Sequence, residues 1–345
     1  MSRMRVLMYY NNKDIRVEEM DIPEIGPGEV LIKVFASGIC GSDVMEWYRI
    51  KKAPRVLGHE ITGEIVEVGA HVKKYKKGDR VFVSHHVPCN NCHYCLNGCH
   101  TACETLHVTN YDPGGFAEYI RIPEINVDRG VYLLPEEMSY DEGTFIEPLA
   151  CVMRGQRLAD LKPGQSVLVM GSGISGLIHI NLAKALGAGK IIATDISENR
   201  MKAAMQFGAD SIIHAADNVA EKLLSCNSNR LADLVIVCAG ALTAATDAIK
   251  CVDRGGTVLY FAVPEPEIMV PVPMNDLWRS EITLMTSYGA SPLDLELAIK
   301  LIAARRVKLG NMITHKLTFE EGGLGFRLVS EAKESIKVIF EPQRK

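Results

Sequence analysis

Four cysteines in one loop carry the most specific chemistry in this chain. In V-P-C-N-N-C-H-Y-C-L-N-G-C-H-T-A-C, Cys89, Cys92, Cys95 and Cys103 follow the spacing C-x2-C-x2-C-x7-C. Four thiolates on a turn-rich loop can enclose one tetrahedral zinc and leave no position for water, so such a site is structural. Binding of this kind is worth roughly 10–16 kcal/mol, enough to order a loop with little apolar core. A disulfide pair and an iron–sulfur cluster are the other uses of these residues. Cys99, His93 and His100 stand in the loop but outside that spacing.

Two shorter stretches lie upstream. G-I-C-G-S-D at 38–43 places Cys40 in a Gly-rich loop, and L-G-H-E at 57–60 places His59 and Glu60 ahead of a strand-like run. Alone, Cys40 reads as an inert apolar thiol and His59 as an ordinary polar side chain. Beside a four-cysteine loop they become candidate metal ligands.

A third stretch, V-L-V-M-G-S-G-I-S-G from Val167 to Gly176, puts Gly171, Gly173 and Gly176 at G-x-G-x-x-G spacing directly after four apolar residues. Gly171 permits the tight turn, Gly173 lets a pyrophosphate approach the backbone, and Gly176 lets helix and strand pack closely. The helix N-terminus then faces the phosphates. Ile174 and Ser175 complete the turn. Asp195 follows 19 residues after Gly176, at the end of the run Ile191–Thr194. A carboxylate there accepts hydrogen bonds from the adenosine ribose and repels a 2'-phosphate, which argues for NAD over NADP. Arg200, five residues on, weakens that argument.

These groups need two kinds of scaffold. Residues 1–36 read as short strands rich in Val and Ile, separated by N-N-K-D and P-E-I-G-P-G-E turns, which points to an antiparallel or barrel-like body. From Val167 onward the pattern alternates. Ile178, Leu182, Ala185 and Leu186 form a helix face; a helix starts at Ser197; Ser211–His214, Asp233–Cys238 and Thr257–Val263 read as strands; and Thr243–Cys251 reads as a helix. The boundary falls near Ala150. A helix over Asp294–Arg305 and two final segments should rejoin the first body. E-E-G-G-L-G-F-R-L-V-S-E-A contains three glycines that should weaken any helix there.

The chain has 345 residues, long for one core, so two domains are expected. Its 47% hydrophobic and 23% charged content is that of a globular protein. A net charge of -4 without a basic stripe argues against nucleic acid. No stretch is long and apolar enough for a signal peptide or a membrane span. Ten cysteines, half of them between Cys89 and Cys103, point to metal and a reducing cytoplasm rather than disulfides.

Taken together, these motifs resemble those of the zinc-containing medium-chain dehydrogenase/reductase family over nearly the whole chain. The resemblance rests on G-I-C-G-S-D, G-H-E, the four-cysteine lobe, G-G-F-A-E-Y at 114–119, E-P-L-A at 147–150 and G-S-G-I-S-G, in that order. The sorbitol-type polyol and threonine dehydrogenase branch is the most similar, because Glu147 stands where classical alcohol dehydrogenases have cysteine. The resemblance implies an α/β protein. Its GroES-like β-rich catalytic domain spans 1–149 and 289–345, and its Rossmann coenzyme domain, a doubly wound parallel sheet, spans 150–288. It also implies two zincs per chain. One is held by Cys40 and His59 with Glu60 or Glu147 as the carboxylate partner, the other by the four-cysteine lobe.

The same resemblance places Phe261, Ala262 and Val263, and Thr286, Ser287 and Tyr288, along the nicotinamide of NAD. The expected reaction is oxidation of a secondary alcohol to a ketone, with Ser42 as first proton acceptor. Many relatives have a histidine five residues after the zinc cysteine; here that residue is Met45, which cannot carry a proton, so the exit must use water, Glu60 or Glu147. A polyol, sugar or cyclitol is the expected substrate. L-threonine or a diol such as 2,3-butanediol is the alternative, and a non-catalytic zinc- and NAD-binding protein is a third reading. The family resemblance further implies a homotetramer or homodimer.

Overall fold

The computed structural model describes residues 3–344. The chain divides into two compact units. One holds the chain up to Ala150, with Ala290–Arg305 and the segment from Leu309 onward; the other holds Cys151–Gly289 with Arg306–Lys308.

The first unit is β-rich. A seven-stranded sheet runs Ile313–Leu317, Lys337–Phe340, Val30–Gly38, Glu60–Val68, Arg80–Val83, Val131–Leu133, with Tyr119–Ile122 also pairing with Val30–Gly38. A three-stranded sheet pairs Arg3–Asn11 with Asp14–Asp21 on one side and with the two-residue strand Arg55–Val56 on the other. Alternating apolar residues put one face of each strand inside. Val6, Val30, Ile32, Val34, Ile61, Ile65, Val81, Phe116 and Phe340 are among the fully buried members of this core. The register of Val30–Gly38 against Glu60–Val68 pairs Gly38 with Glu60, so the end of one strand meets the start of the other. Cys40 and His59, one or two residues beyond that pair, are therefore neighbours.

The G-G-L-G-F segment does form a helix, Gly322–Glu331. A Cβ on Gly322 would meet Leu7 Cδ2 at 2.8 Å and one on Gly325 would meet Phe340 Cζ at 2.8 Å. Packing of the helix directly on the sheet outweighs the weak helix propensity of glycine.

The second unit is a six-stranded, fully parallel sheet in the order Ser211–His214, Lys190–Asp195, Ser166–Met170, Ala232–Val237, Val252–Tyr260, Thr283–Thr286. Numbered along the unit, that is 3-2-1-4-5-6. Chain order reverses beside Ser166–Met170, the switch point at which doubly wound folds bind ligands. Val252–Tyr260 stops before Phe261, because the Phe261 and Ala262 amides both bond to Val237 O and turn the chain out of the sheet. Among the described residues, no helix is long and apolar enough to cross a membrane.

Candidate functional site

Cys40 ends the loop after the strand Val30–Gly38 and caps a short 3₁₀ turn, Gly41–Val44. His59 and Glu60 arrive by the tight L-G-H-E turn. Gly58 has φ +90, and a Cβ there would strike Phe116, so this turn requires glycine. The turn places one ligand atom each of Cys40, His59 and Glu60 within 4.8 Å of one another. Glu147, in the first turn of the helix Ile146–Leu158, is not part of that set.

A buried ring of groups surrounds the triad. Asp43 is fully buried, accepts from Cys40 N at 3.1 Å and faces His59 Nδ1 at 3.5 Å. Burial acts against ionisation of Asp43, but His59 and Arg49 hold its pKa below the ordinary carboxylate value. Burial likewise works to lower the His59 pKa, yet Asp43 and Cys40 raise it well above the usual histidine value. That negative field favours a cation at this spot. Glu60 is ion-paired to Lys337, both only 1% exposed, and Lys337 also donates to Ile39 O. Arg49 donates to Ser42 Oγ at 2.9 Å. His85 lies over His59 with ring centroids 4.9 Å apart. Tyr111 is buried and donates to Gly58 O at 3.4 Å. Its pKa is raised first by burial and then by Asp43, Glu147 and Glu60, which puts Glu147 in the same neighbourhood.

The four-cysteine lobe is built from short pieces: helices His93–Leu96 and Glu104–Val108 and the turn His100–Ala102. Its own core is only Cys95, Cys103 and Leu106 with Cys89 and Cys92 packed on them. The Cys89 and Cys92 sulfurs lie 4.0 and 3.6 Å from that of Cys95. Zn–S bonds of about 2.3 Å put tetrahedral sulfurs about 3.8 Å apart, so the spacing fits zinc. All four thiols are free rather than paired in disulfides. Burial pushes the Cys103 thiol up, but donation from the Cys89 and Leu106 amides outweighs it and brings the pKa to about 6. Cys99 is exposed and outside the cluster.

In the second unit the Gly-rich turn joins Ser166–Met170 to the helix Ile174–Ala185. Gly171 has φ +99, and a Cβ on Gly176 would lie 1.9 Å from Gly171 O. Both glycines are therefore required by the backbone path. Asp195 is 6% exposed and accepts from Ser172 N at 2.8 Å and Ser197 N at 2.9 Å. Arg200 approaches it to 3.9 Å, with a buried Nε that has no partner among the described residues. Phe261 packs edge-on against His179 at 4.6 Å. Phe261, Ala262 and Val263, and Ser287 and Tyr288, follow the C-terminal ends of their strands, while Thr286 is the last residue of its own.

Asp43, Lys337, Arg49, Tyr111 and His85 were not legible as site residues. Asp43 at least lies inside G-I-C-G-S-D, and Lys337 interrupts the apolar run S-I-K-V-I-F. The others come from segments far apart in the chain, with no shared spacing to connect them.

Residues 26–135 match the family model for the alcohol dehydrogenase GroES-like domain, and residues 175–304 match that for the zinc-binding dehydrogenase domain. A probable D-xylulose reductase A of Aspergillus clavatus is 34% identical over 92% of this chain and 91% of its own length. A sorbitol dehydrogenase of Bacillus subtilis is 32% identical over 99% of this chain and 98% of its own. Among solved structures, a zinc-binding dehydrogenase of Sinorhizobium meliloti bound to NADP superposes with a TM-score of 0.89 at 27% identity, covering 99% of this chain and 100% of that one. By both family models and by these relatives, the chain belongs to the zinc-containing medium-chain alcohol dehydrogenase family.

Proposed function

We propose that this protein oxidises a secondary alcohol, of the polyol, sugar or cyclitol kind, to a ketone with NAD as acceptor. The observation that carries the reading is the convergence of one thiol, one imidazole and one carboxylate, a donor set that holds zinc and leaves an open position. In the balanced reaction the carbinol C–H leaves as hydride to the nicotinamide, the O–H proton is released, and bound zinc supplies the Lewis acidity that lowers the hydroxyl pKa.

The chain's own groups have distinct tasks. Cys40, His59 and Glu60 are the metal ligands in this reading, and the lobe of Cys89, Cys92, Cys95 and Cys103 holds the structural metal. Asp43, facing His59 Nδ1, fixes the ring so that Nε2 is the ligating nitrogen. Lys337 balances the Glu60 charge. Ser42 is the first proton acceptor, and the Arg49 contact to its Oγ turns its hydroxyl hydrogen towards the next acceptor. With Met45 unable to continue the relay, Glu147 or water carries the proton on. Gly171, Gly173, Ile174, Ser175 and Gly176 cradle the pyrophosphate, and Asp195 takes the adenosine ribose. Phe261–Val263 and Thr286–Tyr288 line the nicotinamide.

We extend the reading to a cytoplasmic homodimer or homotetramer. Ten free cysteines support a reducing compartment. Exposed Ile268, Met269, Met274 and Trp278, which precede the edge strand Thr283–Thr286 in the chain, support self-association. The test is metal analysis together with a panel of polyols, threonine and diols assayed with NAD at the nicotinamide absorbance. Two zincs per chain and turnover of a polyol are expected. Fewer metals, or no alcohol oxidised, would overturn the dehydrogenase reading.

A further inference from the structure

Two arginines stand beside the metal-ligand triad, and only one has a counter-charge. Arg49 is satisfied: it donates to Ser42 O and Ser42 Oγ at 2.9 Å and reaches Asp43 Oδ1 at 3.3 Å. Asp43 is fully used, since it also accepts from Cys40 N and faces His59. Arg55, on the short strand Arg55–Val56, has a buried Nε with no acceptor, and its guanidinium makes no ion pair or hydrogen bond among the described residues.

Arg55 is nonetheless close to the chemistry. Burial and then repulsion from Arg49 lower its pKa, and the charges of Arg49 and Arg55 both bear on His85, which packs on His59. Exposed Lys51 and Lys52 on the adjoining turn add charge of the same sign. The anions nearby are few. Glu60 is matched by Lys337 and Asp43 by Arg49. With a divalent metal on Cys40, His59 and Glu60, the metal, Lys337, Arg49, Arg55, Lys51 and Lys52 outweigh Cys40, Glu60, Asp43, Glu46 and Glu147 in charge. A half-buried guanidinium without a partner is unfavourable, and a phosphate or carboxylate relieves it with two parallel hydrogen bonds.

We propose that the substrate is an acidic polyol or sugar derivative: the molecule bearing the oxidisable hydroxyl also carries a phosphate ester or carboxylate, which Arg55 binds with the support of Arg49. The proposal rests on the dehydrogenase reading above and goes further, because that reading leaves the charge of the substrate open.

The test compares sorbitol, sorbitol 6-phosphate and gluconate on the zinc-loaded full chain with NAD. The wild type is expected to favour one charged form over sorbitol at least tenfold in kcat/KM, and the preferred form distinguishes phosphate from carboxylate. In Arg55→Gln that ratio should fall about tenfold or more, while Arg55→Lys should retain most of it. Calorimetric titration of the same three compounds gives a readout independent of turnover: the charged form should bind more tightly than sorbitol, and Arg55→Gln should remove the difference. Circular dichroism of the variants checks that they fold. Oxidation of sorbitol as efficient as that of both charged forms, or an equal effect of Arg55→Gln on all three, would overturn the anion site and leave the dehydrogenase reading standing. Arg55-dependent binding of a charged form with no oxidation of any compound would uphold the anion site and overturn the dehydrogenase reading.

Discussion

At the scale of single residues, cofactor choice turns on Asp195 and Arg200. The Asp195 carboxylate is held by two backbone amides, so it is already oriented when a ribose arrives. Arg200 lies 3.9 Å away, and its buried Nε has no partner among the described residues. Asp195→Asn keeps the shape and removes the charge, which frees Arg200 to pair with a 2'-phosphate. The kcat/KM ratio of NADP to NAD is expected to rise at least tenfold, about 1.4 kcal/mol. An unchanged ratio would remove Asp195 as the selector.

At the scale of elements, the helix Gly322–Glu331 is instructive because its glycines are not equivalent. A Cβ on Gly325 would press on Phe340 and Ile39, whereas one on Gly323 would meet nothing within 4 Å. Gly323→Ala should stabilise the fold by up to about 1 kcal/mol through helix propensity and reduced unfolded-state freedom. Gly325→Ala should destabilise it by roughly 1–3 kcal/mol through overpacking. Urea denaturation of the two variants checks both signs. The four-cysteine lobe shows the opposite logic: an element with almost no apolar core, organised by its ligands.

At the scale of the whole molecule, buried histidines link stability to pH. His179 is fully buried, and burial lowers its pKa to about 3, against an ordinary value of 6.5. The unfolded chain therefore gains a proton below pH 6.5 that the folded chain refuses, and stability falls as pH drops from there to about 3. The loss approaches about 1.4 kcal/mol per pH unit for one such group. Between pH 7 and 5.5, His179→Gln should lose about 1 kcal/mol less than the wild type in urea unfolding, whatever its baseline. Equal losses would show that His179 is not the group responsible.

The sequence by itself determined the chemistry-bearing residues wherever they are local. The four-cysteine spacing, the glycine turn ahead of a helix and the carboxylate at the next strand's end are all set within some thirty residues, where backbone geometry follows directly from residue type. Their family resemblance was legible for the same reason. Only the tertiary structure decided what surrounds them. Strand register brings Glu60 opposite Gly38 and places Lys337, from the far end of the chain, against that carboxylate. It likewise leaves the half-buried Arg55 with an Nε that has no partner among the described residues. Spacing cannot reveal such groupings, because they arise from long-range pairing and burial. The helix across three glycines shows the same limit: propensity is local and only weakens it, whereas the contact of Gly325 with Phe340 is long-range.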